Sequence, residues 1–345
     1  MNNKKIILIG ESDSKRTDYF LKAAKSLDIS VNFYEWSEWN NNYIEGGVVK
    51  IDPPSFKEYN ILSLSEKIQD YKNNLYELEL LSKHKEIYFL NTPSDILQLL
   101  DKSACKKYLN KHNITVTDMI TDNVNGYSEL RELMLAKKVK SVFVKPLYGS
   151  GAAGIIALSL NPVTKKMLAY TAAVLDGDML FQQKRIRKIT DEKEIEKIVN
   201  AITSLDVIVE RWYPKADLNG NPFDFRIVWQ FGHIEYVVAR KSSTPITNLH
   251  LNNGAVLLDE ILESKESWNN GNLLKDIEQL CKSAMILYPN THVAGLDVML
   301  DKKSGKPRII EINGQGDLLY QDIYKDNLIY MNQIIHMDQI CDITG

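Results

Sequence analysis

FVKPLYGSGAAGI, residues 143–155, is the stretch on which the fold turns. Gly149, Gly151 and Gly154 spell G-x-G-x-x-G. In a dinucleotide-binding fold that pattern follows the first strand and opens a helix whose N-terminus takes the pyrophosphate. Asp176 even lies at the offset, about 20 residues on, where such a site places its ribose carboxylate. The surroundings argue the other way. SVFVKP before the loop and IIALSL after it are β-type runs without helical period, so the order is strand, loop, strand. No G-K-[ST] ends the run, which removes a P-loop as well. What is left is a hairpin loop of small residues whose backbone N–H groups can close on an anion. Lys145, on the leading strand, adds a point charge. Taken alone, the loop leaves this reading level with a plain β-hairpin carrying a surface lysine.

Upstream, KKIILI (4–9) reads as a buried strand, 14–27 has helical period and SVNFYEW (30–36) is a second strand, a βαβ start. The polar segment 40–56, with Gly46, Gly47, Pro53 and Pro54, reads as a loop. A helix-rich stretch runs to Leu81, and IYFLN (87–91) closes the first unit. Thr92-Pro93-Ser94 reads as a linker and helix start with Ser94 as N-cap, and one helix is expected over 95–112, carrying Asp101 and Lys102. Downstream, strands recur as DVIVERW, DFRIVWQF, IEYVVAR, AGLDVML and RIIEIN, with helical pattern over 191–201 and 273–288. Trp36, Trp39 and Tyr43 read as core and loop aromatics, with a share in a substrate pocket as the alternative.

The 345 residues suffice for two or three modest domains. At 44% hydrophobic and 25% charged residues the composition is that of an ordinary globular chain. A net charge of −3 gives no global basis for binding nucleic acid or an anionic membrane. Cys105, Cys281 and Cys341 lie far apart without a C-x-x-C, which fits a reducing compartment and speaks against structural zinc. The N-terminal apolar run is too short for a signal peptide, and no run approaches the ~20 apolar residues of a membrane span, so a cytoplasmic protein is expected.

Two β-type runs near the C-terminus carry oxygen ligands. Asp297 alternates with Leu296 and Val298, while Glu311 and Asn313 stand two apart on one face of the next strand. The intervening DKKSGKP is a hairpin turn, so antiparallel pairing should bring Asp297 beside Glu311 and Asn313. Three oxygen donors with few competing nitrogens or thiols suit Mg²⁺ held jointly with substrate phosphates. A solvated sheet face is the other reading, at a cost for carboxylates set inside apolar strands.

In this order, these elements resemble the ATP-grasp superfamily over residues 92–320. Asp101-Lys102 looks like its first ATP lysine. Lys145 with the flap Tyr148, Gly149, Ser150 and Gly151 looks like its second lysine and phosphate cover. Val209, Glu210, Arg211 and Trp212 are similar to the hinge whose backbone holds adenine, with the acidic residue near the ribose. Asp297, Glu311 and Asn313 match its magnesium ligands. ERWYPKADLNGNPFDFRIV and VVARKSSTPITNLHLNNG resemble more narrowly a little-characterised bacterial subgroup.

The resemblance implies an α/β protein: two α+β ATP-grasp subdomains that grip ATP, with a glutathione synthetase-like nucleotide fold, behind a Rossmann-like βαβ domain. Its boundaries would be 1–92 for the N-terminal domain, 93–205 for the flap-bearing subdomain and 206–345 for the subdomain with hinge and Mg ligands. It also implies ATP and Mg²⁺, as two ions with Mn²⁺ the alternative, and a small-molecule or peptide substrate, with no nucleic acid or membrane partner and a homo-oligomer left open. The expected activity is an ADP-forming ligase that activates a carboxylate as an acyl phosphate for an amine, C–N ahead of C–S. The alternative is a kinase of the same fold that phosphorylates a hydroxyl. Lys145, Arg226 and Arg240 would be catalytic, with either arginine on the transferring phosphoryl group. Asn248 and His250 would face substrate, with a structural histidine the other reading of His250; Asp317, outside the family pattern, reads as a contact for a cationic substrate or as a turn-forming aspartate after glycine. D-alanine ligases carry an arginine where this chain has Gly295 and a Ser-Pro-Gly-type turn where it has Gly-Gln-Gly-Asp317, so the acceptor end is expected to differ from theirs.

Overall fold

Parallel and antiparallel pairing sort the strands into three sheets. The structure is a computed structural model that describes residues 5–39, 44–55, 60–149, 151–269, 271–316, 322 and 325–344; Tyr43, Ser150 and Asp317 lie outside the described residues. The first sheet holds β1 (Ile6–Gly10), β2 (Val31–Glu35), β3 (Gly46–Ile51) and β4 (Glu86–Phe89) in the order β2-β1-β3-β4, all pairs parallel. Every residue of β1 is buried, as a parallel strand covered on both faces requires.

β3 corrects the expectation of a loop over 40–56. The glycines that signal a turn there open a strand instead. Gly47 has φ +137°, and a Cβ at this position would stand 2.2 Å from the Lys5 carbonyl oxygen. Only glycine lets the two backbones come so close. Gly47→Ala is therefore expected to destabilise the fold by on the order of 3 kcal/mol, read as a lowered urea midpoint; an unchanged midpoint would refute this account of β3.

One face of this sheet packs on the helix Leu64–Ser82, where Trp36, Trp39, Tyr71 and Leu75 share a core. Trp36 meets Tyr71 edge to face at 5.3 Å, so Trp36 and Trp39 are core aromatics rather than pocket walls. The other face packs on Phe20 and Ala23 of the helix Lys15–Ser26 and on Tyr330, Ile334 and Met337 of the last helix, Leu328–Thr344. That last helix returns to the start of the chain.

The helix expected over 95–112 is two helices, Pro93–Leu100 and Lys102–Lys111. Asp101 between them is extended (ψ 101°) and its carboxylate accepts from the Ala104 N–H at 2.8 Å. An aspartate that can cap a new helix competes with continuing the old one. Thr92, rather than Ser94, caps the first helix by accepting from Asp95 N–H.

The second sheet is antiparallel: β5 (Met119–Thr121), β6 (Ser141–Pro146), β7 (Ile156–Leu160), β8 (Met167–Asp176), β9 (Met179–Ile189) and β10 (Val207–Arg211), in the order β5-β10-β6-β7-β8-β9. β6 and β7 pair directly, Val144 opposite Ile156. The glycine loop thus joins two strands, and the dinucleotide reading falls.

The third sheet runs β14 (Gly254–Leu257), β13 (His233–Lys241), β12 (Asn221–Gln230), β15 (Val293–Leu300), β16 (Pro307–Asn313), with β11 (Asp217–Leu218) on β12. Alternation along β12 sends Phe223, Phe225 and Ile227 into a core with Leu273 and Ile277 of the helix Asn272–Met285. The same alternation puts Asp224 and Arg226 on the opposite face.

Candidate active site

That opposite face carries the charges. Strand register sets Arg240 on β13 against Asp224 on β12, Arg226 on β12 against Asp297 on β15, and Asp297 against Glu311 on β16. Arg240 spans two carboxylates, with Nε 2.7 Å from Asp224 and NH2 3.0 Å from Asp297. Arg226 NH1 lies 3.0 Å from the other Asp297 oxygen. Asp224 also takes Lys215 at 2.8 Å and the Thr247 hydroxyl at 2.5 Å. All three charged groups, Asp224, Arg240 and Lys215, are nearly inaccessible. Burial works against the Asp224 charge, yet Arg240 and Lys215 outweigh it and hold the carboxyl well below the usual range. Burial lowers the Lys215 ammonium despite Asp224. For Asp297 burial wins over Arg226 and Arg240, and its carboxyl is raised.

The second sheet supplies the facing wall of the cleft. Lys145 on β6 donates to Glu210 on β10 at 3.1 Å. The other oxygen of Glu210 accepts from the Thr117 hydroxyl at 2.7 Å and lies 3.5 Å from Lys106. Burial opposes the Glu210 charge, but the two lysines and Thr117 hold its carboxyl below the ordinary value. Lys106, fully enclosed and donating also to the Ile310 carbonyl at 2.8 Å, is lowered by burial. Sequence reasoning places Glu210 near a ribose; the structure commits its carboxylate to lysines.

The flap is tied down at its base. Lys102 donates to the Gly149 carbonyl at 2.9 Å, and its ammonium lies 3.7 Å from Glu311, bridging the two walls. The Tyr148 hydroxyl donates to Asp101 at 3.2 Å, and burial with that carboxylate pushes the phenol up to about 12. Gly149, Gly151 and Gly154 all have positive φ.

Of the sequence-derived residues, Lys102, Lys145, Tyr148, Gly149, Gly151, Glu210 and Arg211 line one cleft together with Arg226, Arg240, Asn248, His250, Asp297, Glu311 and Asn313. Val209 and Trp212 do not line it: Val209 is in the core of the second sheet, and Trp212 packs on Phe143 at 5.6 Å and Tyr170 at 6.3 Å. The hinge backbone departs from expectation too. The N–H groups of Arg211 and Trp212 donate to Asp118 and Ser141 carbonyls, because β10 runs inside the sheet. Tyr213, one residue on, does line the cleft.

Sequence reasoning missed Lys106, Lys215, Thr117, Thr247 and Arg16. Asp224 stood in the quoted D-F-R and could have been found there; a lysine four residues after Lys102 reads as solvated helix surface.

Among the described residues no three His, Cys, Asp or Glu side chains converge as a metal cluster. Asp297 and Glu311 with the Asn313 amide form the nearest set of hard oxygens. Asp297 Oδ1 is buried without a hydrogen-bond partner, since its contact with Arg226 misses hydrogen-bond angles. An anionic oxygen left in that state is what a divalent cation would satisfy. The donor set fits Mg²⁺.

The sequence model of a family described as YheC/D like ATP-grasp matches residues 95–327. No curated protein matches. Solved structures of similar fold include the D-cycloserine synthetase DcsG, at 12% identity and TM-score 0.61 over 96% of this chain and 99% of that one. The macrocyclase MdnC bound with precursor peptide MdnA, from Microcystis aeruginosa MRC, has 11% identity and TM-score 0.57 over 96% and 98%. The D-alanine–D-alanine ligase of Bacillus anthracis complexed with ATP has 12% identity and TM-score 0.57 over the whole of both chains. At such identities the likeness is one of fold.

Proposed function

The chain belongs to the YheC/D-like ATP-grasp family, and from that premise we propose that it is an ADP-forming ligase acting on an amino-acid or peptide-like substrate. One observation carries the reading: Lys102 and Lys145 face the row Arg226, Asp297 and Glu311 across a single cleft. The names of the similar structures, a synthetase, a peptide macrocyclase and a D-alanine–D-alanine ligase, support ligation and this substrate class.

In this reading the base lies among Phe143, Met299 and Ile310 beside Arg211 and Tyr213. Lys145, held by Glu210, and Lys102 neutralise phosphate oxygens under the flap. The substrate carboxylate attacks the γ-phosphorus of ATP, the bond to the β-phosphate oxygen breaks and ADP leaves. An amine then attacks the acyl carbon, phosphate departs and the nitrogen loses its proton. Phosphoryl transfer asks mainly for positioning and charge neutralisation, which this chain's cations offer. We assign Arg226 to the transferring phosphoryl group, because its side chain is 13% exposed while Arg240, at 4%, is committed to two carboxylates. Asp297, Glu311 and Asn313 would hold Mg²⁺, whose contribution there is to neutralise charge on the β- and γ-phosphates.

Incubation with ATP, Mg²⁺, hydroxylamine and a pooled set of amino acids and peptides tests this. A hydroxamate whose formation depends on one carboxylate is the expected result. ADP with a stable phosphomonoester would replace the ligase by a hydroxyl kinase. ATP binding untouched by the double change Lys145→Ala, Glu311→Ala would overturn the site itself.

A further inference from the structure

Two buried lysines share one carboxylate in the wall formed by the second sheet, and only one of them reaches the cleft. Lys145, Glu210 and Thr117 line the cavity, whereas Lys106 stands behind them on the helix Lys102–Lys111. One Glu210 oxygen accepts from Lys145 at 3.1 Å, and the other accepts from the Thr117 hydroxyl at 2.7 Å. The Thr117 hydroxyl in turn accepts from Lys106 at 2.6 Å. The Ile310 carbonyl at 2.8 Å and the second Glu210 oxygen at 3.5 Å bring the acceptors around Lys106 to three, one for each N–H of a charged lysine. Burial lowers the Lys106 ammonium, and the Glu210 charge works against that. Charged lysines only donate and an ionised carboxylate only accepts, so the directions along Lys106, Thr117, Glu210 and Lys145 are fixed.

Lys145, Lys106 and Glu210 are each no more than 5% exposed, so solvent screens their charges little. Alone on Glu210, Lys145 would form a neutral pair, and a triphosphate would meet a lysine whose charge is offset by an anion 3.1 Å away. With Lys106 on the far oxygen, two cations share one anion. The group then keeps one positive charge, and Lys145 is the cation that presents it to the cleft. Resting on the placement of Lys145 at the ATP phosphates in the ligase reading above, we infer that Lys106 is a positioning residue for nucleotide binding. It neutralises Glu210 from behind, so that Glu210 orients Lys145 without cancelling its charge.

The test is MgATP titration of the full-length native protein, of Lys106→Met and Lys106→Gln, and of the double variant Lys106→Met, Glu210→Gln. Urea midpoints taken without nucleotide establish that each is folded. Either single change leaves Glu210 with Lys145 and Thr117, so no buried charge is stranded. In both, the Kd for MgATP should rise about 10- to 100-fold. The double variant loses a cation and an anion together and restores the uncancelled charge of Lys145. It should bind MgATP within about fivefold of the native protein. A lysine that serves packing alone predicts the opposite, because the double variant gives up further hydrogen bonds. A Kd unmoved by the single changes, a double variant no tighter than Lys106→Met, or failure of both single variants to fold overturns the assignment. Native protein that does not bind MgATP overturns instead the reading that sets Lys145 at the phosphates, while a hydroxyl kinase in place of the ligase leaves the role of Lys106 intact.

Discussion

Glu311→Ala is expected to lower ADP formation by about 10²- to 10³-fold or more while weakening ATP binding by less than about tenfold. The asymmetry follows from where Glu311 sits. It pairs with Asp297 across adjoining strands, and in the proposed reading this is the phosphate end of the cleft, with the base set apart among Phe143, Met299 and Ile310. Affinity for ATP draws on the apolar base site and on Lys102 and Lys145, which this change leaves in place. Charge that builds on the transferring group draws on the carboxylate pair and what the pair would hold. The change also frees Lys102 from an anion 3.7 Å away, which favours phosphate contact in the ground state. Nucleotide titration and steady-state ADP release on one preparation decide it. Parallel loss of both would remove Glu311 from the transfer step.

Asp224→Ala is expected to destabilise the fold by about 3–5 kcal/mol. Asp224 is the shared anion of Arg240 and Lys215, all three enclosed, and its removal leaves two cations in a dry site. Arg240 would keep only Asp297. A urea midpoint shift of that size, with Asp224→Asn in between, is the readout; a shift below about 1 kcal/mol would mean that water reaches the cluster. The pH dependence has a definite sign. The folded carboxyl lies below its ordinary 3.8, so the stabilisation is complete above that value. It fades as pH falls from 3.8 through the lower folded value, and Asp224→Ala should flatten this acid limb.

What could be read from the chain divides along the length of the interactions. Asp297 beside Glu311 was legible only to within one residue: a short turn joins two alternating strands, and a bulge between Asp297 and Val298 shifts the turn's register to bring these two carboxylates opposite each other. The flap was legible once IIALSL followed the glycines as a strand. The family membership supports the ATP-grasp reading built on these two features together with Asp101-Lys102 and the hinge strand. Arg240 on Asp224 was not legible, since a bulge between Val228 and Trp229 shifts the β12–β13 register. Lys106 and Lys145 meet only through Glu210, and no local pattern shows two lysines sharing one buried carboxylate. β3 was missed for the opposite reason: glycine signals a turn locally and here serves a close approach of strands.

The last helix carries a consequence for synthesis. Asn327, just before it, donates to the carbonyl of Tyr19, a residue made 308 positions earlier. At about 5–20 residues per second, roughly 15–60 s separate the two on the ribosome. Through that interval the face of the first sheet formed by Ile6, Leu8 and Val48 lacks the cover of Tyr330, Ile334 and Met337. The unit built on the first sheet is therefore finished only once the helix Leu328–Thr344 has been made, and until then the nascent chain presents an adhesive surface there.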